Sequence, residues 1–137
     1  MDFKPLDKCL PFQGIEAIDT QVLETFAYEY PSRRIEVEIS TDEFTAVCPY
    51  SGLPDFGTIY ILYTPDQLCI ELRSLKYYLL SYRSIGIFYE HLVNRVLEDL
   101  AAVCKPWNMT VKAEYKVRGG LKTTAIAHYQ RELSEQA

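Results

Sequence analysis

Metal-binding side chains are scarce in this chain. There are two histidines, His91 and His128, and four cysteines at positions 9, 48, 69 and 104, with no C-x-x-C and no regular spacing. Catalytic zinc ordinarily takes three protein ligands, so no metal centre is expected. No Gly-x-Gly-x-x-Gly follows any strand, so a Rossmann-type nucleotide site is not signalled. No apolar run approaches the length of a membrane span, and residues 1–14 are polar and Pro-bearing, without a signal-peptide core. The net charge is −5, which argues against a broad nucleic-acid footprint. Together these features predict a cytoplasmic protein with free thiols.

Tyrosine, by contrast, is abundant. The 137 residues include 11 Tyr beside 6 Phe and 1 Trp. Tyrosine has a large apolar body and a polar tip, which suits half-buried sheet surfaces, subunit contacts or a planar ligand. The length fits one domain able to bury its own core. The organisation expected is an irregular arm over residues 1–18, a single catalytic domain over 19–130, and a polar tail over 131–137.

Thr20 to Tyr30 is rich in Val, Phe, Thr and Tyr and predicts a strand. Pro31 breaks it, and the alternation from Arg34 to Ile39 predicts a hairpin partner. Phe56 to Tyr63 and Leu68 to Leu72 read as strands, and Lys76 to Tyr82 as a short helix. From Ile87 onward, Phe88, Leu92, Val93, Val96, Leu97, Leu100, Val103 and Cys104 recur at intervals of three and four, marking one face of a helix that Lys105-Pro106 stops. Met109 to Val117 and Leu121 to Tyr129 read as a closing strand pair across Arg118-Gly119-Gly120. Strands surrounding a two-helix insert predict an α+β fold, an antiparallel sheet with helices on one face.

The stretch richest in chemistry is Cys48-Pro49-Tyr50-Ser51-Gly52-Leu53-Pro54-Asp55-Phe56. It sets a thiol and a carboxylate on one Pro- and Gly-rich loop. A thiolate can attack an electrophilic carbon while a nearby carboxylic acid supplies a proton. A packed thiol and a turn aspartate would produce the same letters. On the residues alone, both readings stand.

That stretch resembles the signature loop of the NADPH-dependent nitrile reductases that act on 7-cyano-7-deazaguanine. Glu71-Leu72-Arg73-Ser74-Leu75-Lys76-Tyr77-Tyr78 is similar to that family's second motif. Ser81-Tyr82-Arg83 through Gly86, Phe88 and Glu90 to Asn94, and then Arg118-Gly119-Gly120, resemble further stretches in the same order. The resemblance spans residues 20–130 and is to the short, single-module branch. It implies the tunnelling fold, subunits whose sheets join into rings, and active sites between subunits. It implies reduction of the nitrile to an aminomethyl group with two NADPH, in the biosynthesis of the modified tRNA nucleoside queuosine. Cys48 would form a covalent thioimidate and Asp55 would protonate the nitrogen. Ile70, Glu71, Leu72, Tyr89 and Glu90 would contact the base, and Arg73, Ser74, Lys76 and Arg83 would meet the cofactor. For Glu90, the plain alternative is an acidic residue favoured in the first turn of a helix. For the basic cluster it is a solvated helix start. Arg118, beside Gly119-Gly120, either touches phosphate from its turn or flanks a hairpin.

The chain departs from the family pattern at two places. Arg73 stands where Lys is common, and Tyr89 where His precedes the base-gripping Glu. His91 lies about 200° round the helix from position 89, which leaves Tyr89 as the residue to take that place. Two other readings compete with the reductase. One is the relative that uses ammonia to make an amidine on nitrile-bearing tRNA; it lacks the cofactor motif, and its tRNA substrate does not suit the acidic balance. The other is a non-catalytic purine- or pterin-binding module, indifferent to loss of the Cys48 thiol. A zinc-dependent cyclohydrolase on the same fold is disfavoured by the scarcity of ligands.

Overall fold

A computed structural model describes residues 9–132. The main element is a four-stranded antiparallel sheet in the order β2-β3-β5-β6, with β2 at Val37–Val47, β3 at Pro54–Thr64, β5 at Asn108–Tyr115 and β6 at Thr124–Gln130. A separate antiparallel pair joins β1 (Thr25–Ala27) to β4 (Leu68–Ile70). Helices α1 (Leu72–Leu80) and α2 (Tyr89–Cys104) lie between β4 and β5 and pack on one face of the main sheet. This is the expected α+β fold, an antiparallel sheet backed by two helices. No helix among the described residues is long and apolar enough to cross a membrane.

Side-chain alternation explains the face. Along β5, Met109, Val111, Ala113 and Tyr115 are buried while Asn108, Thr110, Lys112 and Glu114 are not, as a period of two requires. The buried face of α2 is Leu92, Val93, Val96, Leu97, Leu100 and Cys104, the stripe read from the spacing. Lys105 ends the helix in the left-handed conformation (φ 46°), and Pro106 follows. Beneath α1, the Tyr78 hydroxyl donates to Asp99 Oδ2 at 2.6 Å and lies 2.8 Å from the Tyr82 hydroxyl, and Arg95 pairs with the same carboxylate oxygen at 2.8 Å.

Three expectations are corrected. Thr20 to Tyr30 is not one strand: Thr20–Val22 is a 3-10 turn and only Thr25–Ala27 pairs as a strand. Nor does this segment form a hairpin with the strand after Pro31. β1 pairs with β4, and β2 pairs with β3 through a long hairpin whose tip is the Cys48 loop. A short turn makes a local hairpin plausible, but β2 finds nine paired residues in β3. Helix α1 also starts four residues before the expected Lys76. Glu71 caps it, its carboxylate accepting from the N–H groups of Arg73 (3.0 Å) and Ser74 (2.7 Å). Glutamate is not among the favoured N-cap types, so the start was hidden.

Candidate active site

Cys48 sits at the tip of the β2–β3 hairpin, and Asp55 lies in the second residue of β3, across from Ala46. The loop between them is tightly held. The Cys48 N–H donates to the Leu53 carbonyl at 2.9 Å, and the Gly52 N–H donates back to the Cys48 carbonyl at 2.7 Å. Gly52 has φ +74°, and a side chain there would also collide with the Leu10 backbone. The N-terminal segment straps the outside: the Leu10 N–H donates to the Ser51 carbonyl at 2.8 Å. From the other side, Val47 forms a parallel bridge to Gly86, just ahead of α2. That bridge brings the start of α2 beside the loop.

The Cys48 thiol is partly exposed, and its environment favours the thiolate. Burial pushes its pKa up, but the Ser51 and Tyr50 backbone N–H groups and the Ser51 hydroxyl outweigh it, so the net shift is down. The Asp55 charge is near enough to oppose this.

Asp55 is 3% exposed and engaged at one oxygen. The Tyr89 hydroxyl donates to Oδ1 at 3.0 Å, and the Arg118 guanidinium pairs with the same atom at 2.6 Å. Among the described residues no donor to Oδ2 is seen. Tyr89 is the first residue of α2, and its ring stacks on Tyr115 with centroids 3.6 Å apart and planes at 15°. Burial, followed by the Asp55 hydrogen bond, pushes the Tyr89 hydroxyl up to about 12, so near neutrality it is a donor. Tyr115, lower in the same nest, is pushed up by burial first and then by the Asp55 charge. Glu90 follows Tyr89 in the first turn, exposed, and its charge reaches Tyr115. His91 is exposed and sits edge-on to Phe88 instead of facing Asp55.

Thus Cys48, Asp55, Tyr89 and Glu90 gather at one end of the sheet. Ile70, Glu71 and Leu72 do not join them in a single chain. The Ile70 N–H donates to the Tyr63 hydroxyl at 3.0 Å, and Tyr63 lies about 26 Å along β3 from Asp55 at roughly 3.3 Å per residue. Ile70 is buried, Leu72 is exposed, and the Glu71 carboxylate is committed to capping α1.

The basic residues divide in a similar way. Lys76 and Arg83 rim a groove of about 250 Å³ between α1 and the sheet, floored by Phe44, Ile59 and Ile61. Arg73 is exposed at the start of α1. Ser74 is buried, and its hydroxyl accepts from Glu24 N–H at 2.9 Å and donates to the Glu71 carbonyl at 2.8 Å. Because Glu71 already fills the helix start where a phosphate could sit, phosphates would have to be met by the side chains of Arg73, Lys76 and Arg83. Three cations on an acidic chain fit that task.

Three members of the site were not among the residues singled out for it. Arg118, expected either to touch phosphate or to flank a hairpin turn, does flank the turn, and its side chain reaches Asp55. Tyr115 pairs with Gly57 in the β3–β5 register, so alternation places it diagonally beside Asp55. Ser51 lies inside the signature loop, but nothing in its spelling marks which way its N–H points.

The family model described as QueF-like protein matches residues 54–134. The NADPH-dependent 7-cyano-7-deazaguanine reductase of Chloroherpeton thalassium is 52% identical over 112 residues, covering 82% of this chain and 97% of that protein. The protein of the same name from Chlorobaculum tepidum is 50% identical over 114 residues, covering 83% and 97%. That of Caldicellulosiruptor bescii is 50% identical over 118 residues, covering 86% and 90%. Among solved structures, the apo form of an archaeosine synthase QueF-Like superposes with a TM-score of 0.61 at 22% identity, covering 69% of this chain and 91% of that one. At that identity the likeness speaks to the fold alone, which is the tunnelling fold. With half of the aligned residues shared over nearly the whole length of its relatives, the chain belongs to the QueF-like protein family, among the NADPH-dependent 7-cyano-7-deazaguanine reductases.

Proposed function

We propose that this protein reduces the nitrile of 7-cyano-7-deazaguanine to the aminomethyl group of 7-aminomethyl-7-deazaguanine, consuming two NADPH per nitrile, in queuosine biosynthesis. The observation that carries the reading is the hairpin tip itself: a thiol whose pKa is lowered by its own loop, near a buried carboxylate held by Tyr89 and Arg118 at Oδ1. A nitrile is a poor hydride acceptor, and adding sulfur first converts it into a more reactive C=N. Asp55 takes the Cys48 proton as the sulfur adds to the nitrile carbon, then returns that proton to the nitrogen. One S–C bond forms, one C≡N π bond is lost, and the product on Cys48 is a neutral thioimidate.

When bound, NADPH supplies the two hydrides that carry this carbon to the amine, with two protons completing the balance. Arg73, Lys76 and Arg83 hold the cofactor by charge. Cys48 leaves as its C–S bond breaks between the two reductions and is regenerated for the next turnover. Glu90 accepts the adjacent N–H donors of the base edge, which a carboxylate can take together. Tyr89 orients Asp55.

Ile70, Glu71 and Leu72 of one chain lie at the far end of the sheet from its own Cys48, so they serve a neighbouring subunit's site in a homo-oligomer. The outer edges of β2 and β6 have no strand partner among the described residues, which suits the joining of sheets between subunits. Incubating purified protein with the nitrile alone and weighing it intact tests the covalent step. The reading predicts a mass gain of one nitrile on Cys48, absent in Cys48→Ala.

A further inference from the structure

We infer that Arg118 is a positioning residue for the covalent step: it holds the Asp55 carboxylate by Oδ1, so that its other oxygen is left to serve the thiol and the nitrile nitrogen. This rests on the reading of Cys48 and Asp55 as the reacting pair. Asp55 is almost wholly buried, and a buried carboxylate left without a partner is costly. Arg118 is half exposed and comes from a different hairpin, yet its Nη2 reaches both Asp55 Oδ1 at 2.6 Å and the Pro54 carbonyl at 2.9 Å. Two acceptors on consecutive residues hold the guanidinium in one place, against the first two residues of β3.

The backbone is arranged to deliver it there. The Lys116 N–H donates to the Phe56 carbonyl at 3.1 Å, continuing the β3–β5 pairing past Tyr115. Arg118 and Leu121 then exchange both backbone hydrogen bonds, at 2.9 and 3.0 Å, around Gly119 and Gly120 with φ of 59° and 80°. Two successive positive φ values make the tight two-residue turn that suits the twist of a hairpin. Nothing lies within 4 Å of a side chain added at either glycine. The Gly-Gly pair therefore answers a need for conformation, not for space, and its consequence is to set Arg118 at the rigid base of the turn. Because Tyr89 and Arg118 both bind Oδ1, the carboxylate is gripped at one oxygen only.

The test uses adduct formation with the nitrile and no NADPH, so that cofactor binding does not enter. Arg118→Ala should slow capture of the nitrile by Cys48 roughly 10- to 100-fold, the scale of a misplaced catalytic group, and added guanidinium ion should restore part of the rate. In an Asp55→Asn background the same substitution should change the rate less than twofold, because the two residues act as one unit. Arg118→Lys should retain more of the rate than Arg118→Ala, and it keeps the comparison open if truncation impairs folding. A wild-type rate in Arg118→Ala, or full multiplicative loss in the double variant, would overturn the inference. No adduct in the wild-type protein would instead overturn the function from which it starts.

Discussion

The Tyr89 ring lies flat on Tyr115 while its hydroxyl donates to Asp55 Oδ1 at 3.0 Å. The residue that departs from the family's usual His is thus locked by a ring on one side and a carboxylate on the other. Tyr89→Phe should keep the stack and lose the donor. We expect a several-fold slower adduct formation and a stability loss of about 1 kcal/mol, the usual worth of one hydrogen bond. Rapid-mixing kinetics and a thermal melt check the two separately. A rate drop with no adduct-independent loss of base affinity locates the effect on Asp55.

Ser51 should control the nucleophile. Its N–H is the largest of the influences that lower the Cys48 pKa, and its hydroxyl adds to it. A lowered thiol pKa means that the thiolate is populated at lower pH, so the alkylation of Cys48 should reach half its plateau rate below the ordinary thiol value. Ser51→Ala removes the hydroxyl only and should move that midpoint upward without abolishing it. Peptide-resolved alkylation across pH 6 to 10 measures this. A midpoint unmoved by the substitution would mean that the hydroxyl contributes nothing to the thiolate.

The four thiols should divide evenly. Cys9 is exposed and Cys48 partly so, whereas Cys69 and Cys104 are buried; burial pushes the Cys69 thiol up and Cys104 up to about 12. A thiol reagent applied to the native protein near neutral pH should label positions 9 and 48 within minutes and spare 69 and 104 until the chain unfolds.

Much of the site was legible because it is local in sequence. Cys48 and Asp55 lie at the tip of one hairpin, and the stripe on α2 fixes which way Tyr89 and Glu90 begin their helix. What was not legible depends on pairing between distant strands. The choice of β4 as the partner of β1, and of β3 as the partner of β2, is decided by total sheet partnership, which no short window reports. Arg118 reaches Asp55 across 63 positions of chain through the β3–β5 register. The start of α1 was missed because a glutamate does the capping. Ser74, placed by resemblance in the cofactor group, lies buried with its hydroxyl used inside the fold.

The backbone glycine of the signature loop gives a further prediction. Gly52→Ala places a Cβ at φ +74° and against the Leu10 carbonyl. The strain should cost ~1–2 kcal/mol from conformation alone, with more from the collision. Because the same loop holds the Ser51 N–H toward the thiol, Cys48 alkylation should slow together with the drop in melting temperature. An alanine variant that alkylates normally while melting earlier would separate the loop's stability from its chemistry.

The most direct test of the central claim follows NADPH absorbance after addition of 7-cyano-7-deazaguanine, with Cys48→Ala in parallel. The account predicts oxidation of two NADPH per nitrile by the wild-type protein and none by the variant. Contradiction would come from a protein that captures the nitrile on Cys48 yet oxidises no NADPH, which would assign it to the ammonia-using chemistry, or from turnover that survives loss of the thiol.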